Sequence, residues 1–238
     1  MATTSTRSRK KATVEAAELE VRDEKQHGSR SDYVYQMLRK RIESGELKPG
    51  DRVMEVEIAE QLEVSRTPVR DALRRLESDG MVVIEPRVGL RIASLSRGSI
   101  LELYLMRELL EGTAAGLCAT HATELELMEL EELVRKEKSL QGDYEALARH
   151  NRRFHEAIYH GAHNRYLEKS LNAVNDSMWL LGRSLMYKPE RAETAYLQHR
   201  ELLEAILARD SVTAEKLARE HIAAAKKVRL RALFDSQE

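Results

Sequence analysis

The chain has 238 residues, 33% charged and 42% hydrophobic, with a formal net charge of −1. That length exceeds one small binding module and suits two domains. No apolar run approaches the roughly 18 residues that span a membrane, no secretory apolar region is present, and the lone Cys118 excludes an internal disulfide, so a cytoplasmic location is expected.

Residues 1–29 are Ser, Thr, Ala and mixed charge with no apolar period, which predicts a disordered tail. Its basic cluster, Arg7, Arg9, Lys10 and Lys11, leaves open a second reading as an arm that grazes DNA. A helix is predicted from Ser31 to Ser44, with Val34, Met37, Leu38 and Ile42 inward and Gly45 as its stop. Pro49-Gly50 makes a turn.

Glu55–Leu62 reads as a short helix with Ile58, Ala59 and Leu62 inward. Only Glu63 and Val64 separate it from Ser65, an N-cap residue type, and Pro68 then falls in a first turn, where a missing N–H costs nothing. Val69, Leu73 and Leu76 repeat at i, i+4, i+7 and face inward, which leaves Arg66, Thr67, Arg70 and Arg74 outward. Two short helices across a tight turn, the second basic on its outer face, read as a helix-turn-helix. Arginine can bind guanine bidentately, and the N–H groups of a helix start suit a phosphate. An ordinary amphipathic helix with a solvated basic face is the competing reading. Met81–Glu85 and Leu90–Ala93 follow as two strands, joined by Pro86-Arg87-Val88-Gly89, a hairpin wing with Arg87 at its tip. Acidic and basic residues balance over 30–94, so a small, salt-sensitive basic footprint is expected rather than a broad cationic surface.

These motifs, in this order, resemble the GntR-type winged-helix regulators of bacteria. The matching stretches are Gly45-Glu46-Leu47-Lys48-Pro49-Gly50, Ser65-Arg66-Thr67-Pro68-Val69-Arg70, Leu76-Glu77-Ser78-Asp79-Gly80 and the wing Gly89. The resemblance implies DNA contacts by Arg66, Thr67 and Arg70. A basic contact near the start of the preceding helix in some members falls here on Val56 and is not carried over. With the outward face and the wing, the candidate DNA-binding set is Ser65, Arg66, Thr67, Arg70, Arg74, Arg87 and Gly89.

Residues 94–98 are short and polar and read as a linker between a DNA-binding domain, 30–94, and a second domain, 95–238. No strand signal appears beyond it. Six helical segments are predicted, at 99–120, 124–141, 143–161, 164–186, 190–209 and 211–234. The fold class is therefore mainly α, a winged helix-turn-helix followed by an all-α bundle. The bundle resembles the effector-binding FCD-type domain of the FadR branch, through Leu103-Tyr104, Arg107, Leu110-Glu111, Phe154-His155, Ile158 and Asn164.

Three of the eight histidines fall on inward stripes. Asn151 and His155 share one with Leu147, Phe154 and Ile158; His199 lies with Tyr196, Leu203 and Ile206; His221 lies with Ala214, Leu217 and Val228. Each alone reads as a core histidine, yet burying several polar groups without partners costs several kcal/mol. A divalent transition metal would satisfy them together, with Zn, Ni or Mn suiting imidazole and amide donors. The resemblance implies the same site, since many members of that branch bind metal through Asp and three His at positions matching Asn151, His155, His199 and His221. Asn151 replaces the Asp, so four neutral ligands would leave the full charge of the cation and favour an anionic effector. Arg107 and Arg183 are candidate effector-binding residues, with surface or structural roles as the alternative. Cys118, among Ala114, Ala115, Leu117 and Ala119, reads as helix packing.

The leading expectation is a homodimeric DNA-binding regulator on a pseudo-palindromic operator, controlled by a small carboxylate in the helical domain. A metal-dependent enzyme built on the bundle is the alternative, although no HExxH motif, paired carboxylates or nucleophile triad stands near the histidines. A third reading keeps the metal structural and the bundle for dimerisation alone.

Overall fold

The structure, a computed structural model, describes residues 29–234 apart from 141 and 183. The N-terminal tail with its basic cluster, and Arg183, lie outside the described residues. The chain divides after Ser94 into two compact units.

The first unit begins with α1 (Arg30–Ser44). Ser29 caps it reciprocally with Asp32, and Gly45 ends it in the left-handed conformation, φ 76°. A short α2 (Glu55–Gln61) leads through a tight turn, Glu63 at φ 54°, into α3 (Arg66–Ser78). Ser65 holds the N-cap position of α3, but its hydroxyl caps nothing, unlike the expectation for that residue type. Strands β1 (Val82–Glu85) and β2 (Gly89–Ile92) pair antiparallel from Val82↔Ile92 to Glu85↔Gly89. Beyond the expected hairpin, residues 50–53 line the other edge of β2: Ile92 N donates to Asp51 O, and Val53 N to Leu90 O, each at 2.9 Å. Val34, Leu38, Ile42, Val69, Leu73 and Leu76 close the small core, each side chain removed from water contributing about 1.5–3 kcal/mol.

The second unit is all helix: α4 (Arg97–His121), α5 (Glu124–Glu137), α6 (Tyr144–Gly161), α7 (Arg165–Met178), α8 (Pro189–Leu207) and α9 (Ser211–Phe234). Side chains of Ser96, Thr123, Asp143 and Asn164 accept first-turn N–H groups, and Pro189 opens α8. The Ser96 cap starts α4 two residues earlier than periodicity suggests, so the linker is shorter than predicted. The segment expected as one helix over 164–186 is broken. It leaves the α conformation after Met178 and continues as 3-10 turns at Trp179–Leu181 and Leu185–Tyr187 around Gly182, whose φ of 72° no helix accommodates. The predicted 124–141 helix likewise tightens to 3-10 geometry at Lys138–Leu140.

Helix α4 packs most extensively on α9, and two glycines permit the approach. A Cβ on Gly112 would stand 2.6 Å from Arg219 Cγ, and one on Gly116 would stand 3.1 Å from the Ser211 carbonyl. Leu130, Phe154, Ile158, Leu171, Leu202 and Ile206 form the centre of the core. Cys118 packs there too, its thiol pushed up to about 12 by burial, which fits packing and not nucleophilic chemistry.

Candidate metal centre and nucleic-acid interface

The buried stripe of α3 is Val69, Ala72, Leu73 and Leu76, so Ser65, Arg66, Thr67, Arg70 and Arg74 are all exposed along its other side. Arg75 does not join them. It pairs with Asp32 at 2.8 Å and lies over the Tyr35 ring at 4.0 Å, which ties α3 to α1. Arg87 sits exposed at the hairpin turn with φ 69°, and Gly89 follows at φ 101°. The sequence reading missed Glu55. From the start of α2, its Oε1 accepts from Arg70 Nε at 3.2 Å and its Oε2 from Arg70 Nη2 at 3.0 Å, with Arg66 Nη2 3.6 Å away.

In the second unit, His155 of α6, His199 of α8 and His221 of α9 converge. One nitrogen from each lies within 4.8 Å of the others, and all three residues are buried. Their outer nitrogens are committed. His155 Nδ1 meets Glu111 Oε2 at 2.9 Å, His199 Nδ1 meets Glu137 Oε2 at 2.9 Å, and His221 Nδ1 meets Gln198 Oε1 at 3.0 Å. An ionised carboxylate or an amide oxygen only accepts, so Nδ1 of His199 and of His221 carries the hydrogen and Nε2 of each keeps a lone pair. His199 Nε2 is buried with no hydrogen-bond partner. This is the arrangement that orients imidazoles toward a cation, with the supporting oxygen fixing tautomer and ring plane.

The sequence named Glu111 only as part of the resemblance and Glu137 not at all, although both lie on inward stripes. Glu137 continues Leu127, Leu130 and Val134, and Glu111 stands one turn after Arg107. Burial would raise the Glu111 carboxyl, but the Arg107 and His155 charges outweigh it and hold it at about 2. Arg107 is engaged by that pair, with Nη2 at 2.6 Å and Nε at 2.8 Å from Glu111 Oε1. Burial also holds His199 below the ordinary histidine value despite Glu137, and lowers His221 well below it, helped by the charges of its neighbours. Both are therefore neutral, as ligation requires.

Arg191 is a further buried cation that sequence reasoning missed. It lies two turns before His199 on the same side of α8, with Nη1 3.2 Å from Gln198 Oε1 and Nη2 3.4 Å from His221 Nε2. Asn151 stands one turn before His155 on α6 and is half-buried. The two arginines and two carboxylates around the histidines balance, so the local set has no net charge without a cation.

Comparison with known proteins gives the same division. The profile "Bacterial regulatory proteins, gntR family" matches residues 30–92, and "FCD domain" matches residues 102–224. The HTH-type transcriptional regulator YdhC of Bacillus subtilis (strain 168) is 36% identical over 194 residues, 80% of this chain and 84% of the relative. The HTH-type transcriptional regulator McbR of Escherichia coli (strain K12) is 34% identical over 73% of this chain and 80% of its own length. A solved structure of E. coli McbR/YncC superposes with a TM-score of 0.74 at 28% identity, covering 86% of this chain and 99% of that one. Such relatives regulate transcription and are not enzymes, which sets the metalloenzyme alternative aside. The chain is a transcriptional regulator of the GntR family, with a winged helix-turn-helix that binds DNA and an FCD helical domain.

Proposed function

We propose that this regulator belongs to the FadR branch, reads a pseudo-palindromic operator through α3 as a homodimer, and changes its operator affinity when a small carboxylate binds beside a divalent metal in the helical domain. The observation that carries the metal is the convergence of three buried histidines, one nitrogen of each within 4.8 Å of the others, with a side-chain oxygen beside every Nδ1 and His199 Nε2 left without a hydrogen-bond partner. His155, His199 and His221 would hold the ion, with Asn151 as a neutral fourth donor. Zn, Ni and Mn suit this set. The ion would act as an electrophilic anchor for a carboxylate oxygen. Arg107 is committed to Glu111, which makes Arg191 the better-placed cation for the effector. Ser65, Arg66, Thr67, Arg70 and Arg74 would face DNA, with Arg87 and Gly89 on the wing.

An apolar stripe on α4, Leu101, Leu105 and Leu109 with Met106 beside it, is exposed and supports the homodimer. Among the described residues no helix is long and apolar enough to cross a membrane, and the proposed site of action is the cytoplasm. The test is metal analysis of the purified protein, then calorimetry with Zn2+, Ni2+ and Mn2+, followed by small carboxylates. Asn151→Asp adds a charged ligand and should tighten metal binding. If the protein takes up none of these ions, and His199→Ala and His221→Ala only lower stability, the histidines are core residues and the pocket reading fails. Light scattering should give twice the chain mass of 27.3 kDa.

A further inference from the structure

Glu55 lies outside the reading helix, yet two arginines of that helix share its carboxylate. The pairing with Arg70 is side-on: the carboxylate takes Nε and one N–H of Nη2. The end-on face of the guanidinium, one N–H of Nη1 and the second of Nη2, is left over. Those are parallel donors, the pattern that guanine O6 and N7 accept. Carboxylate and base can therefore hold Arg70 at the same time. The Arg70 side chain is half exposed and would otherwise sample many rotamers, so a preset orientation lowers the ordering cost of binding the right base.

Charge gives Glu55 a second effect. The hydrogen bonds from Arg70 hold its carboxyl below the usual carboxylate range, so it stays ionised. A fixed negative charge inside a small basic footprint weakens attraction to any phosphate backbone, whatever the sequence. Arg70 also cannot swing to a phosphate without giving up two charge-assisted hydrogen bonds. We propose that Glu55 is a specificity-determining residue, which presents Arg70 end-on to a base edge and lowers the affinity of α3 for DNA lacking that base. This inference rests on α3 being the reading helix.

The test uses the full chain and a pool of random duplexes long enough for two half-sites. The duplex enriched by the parent protein serves as the operator probe, and the unselected pool serves as the non-specific probe. Affinity for both is measured at two salt concentrations for the parent, Glu55→Gln, Arg70→Ala and the double variant, with thermal unfolding alongside. Glu55→Gln keeps the shape and removes the charge. It should bind the pool more tightly, steepen the salt dependence on the pool by about one ion, and cut the operator-to-pool ratio about tenfold, with unfolding unmoved. With Arg70 already replaced by alanine, Glu55→Gln should lower the ratio no further. An unchanged ratio in Glu55→Gln overturns the inference. So does an equal drop with and without Arg70, or a parallel loss on both probes accompanied by a lower melting temperature, which would mark a merely structural pair. Failure of the underlying reading looks different: Arg70→Ala would itself keep the parent's operator-to-pool ratio.

Discussion

The molecule contains two arginine–glutamate pairs, each made through the Nε and Nη2 edge of the guanidinium, in opposite settings. In Arg70–Glu55 the side chains are 50% and 23% exposed, and in Arg107–Glu111 they are 13% and 3% exposed. Water screens the first pair, so it contributes little to folding and its arginine keeps donors for a second partner. The second pair is in a low dielectric, where removing one partner strands the other charge. It also extends through Glu111 to His155 and so sets an imidazole in place. One chemical motif thus serves recognition at the surface and preorganisation in the interior, and burial alone decides which.

The largest way to test that contrast is Glu111→Ala. Leaving Arg107 buried and unpaired should cost about 3–5 kcal/mol, a fall of about 10 °C in Tm for a chain of this size. Thermal unfolding reads it directly, and Glu55→Ala under the same conditions should leave Tm unmoved. A small shift for Glu111→Ala would mean that water reaches the pair and that the two settings are not different after all.

Glu137→Gln sharpens the interior side of the comparison. Glu137 and His199 are both fully buried and joined at 2.9 Å, and the amide removes the charge while keeping a hydrogen-bond acceptor. Loss of such outer support should weaken metal binding about 10- to 100-fold. Zinc calorimetry on the parent and on Glu137→Gln checks it, and equal affinities would remove Glu137 from the site.

On the surface side, Arg70→Ala should weaken binding to the selected operator about tenfold or more, while unfolding stays where it was. A gel-shift titration beside a melting curve separates the two. Loss of stability without loss of affinity would make the exposed pair structural.

The smallest effect concerns pH. His199 and His221 have folded values below the ordinary 6.5, so the neutral form is the folded one. Their contribution is present above about 6.5 and is lost as pH falls from there toward the lower folded values, because the unfolded chain takes up the protons first. Stability should therefore fall between pH 7 and 6. Urea unfolding at the two pH values measures this, and the dependence should flatten in His199→Ala. A stability that rises on acidification in this window would contradict burial of neutral imidazoles.

The sequence by itself determined which way the helices that carry the candidate residues face. The spacing of Val69, Leu73 and Leu76 put Arg66, Thr67, Arg70 and Arg74 outside, and helical repeats put His155, His199 and His221 inside, because a helix face follows from spacing alone. Only the tertiary structure decided partners. Glu137 reaches His199 across 62 residues, and Glu55 reaches Arg70 across a turn between separate helices; no periodicity relates either pair. Arg107 is largely buried, and packing gave it to Glu111, where the sequence offered it to a ligand. The break at Gly182 was equally a matter of tertiary context, since a glycine is tolerated within a helix and interrupts one only where the surrounding fold requires a positive φ. Faces are a property of one element, whereas contacts need the packing of several, and the chemistry of this site is made of contacts.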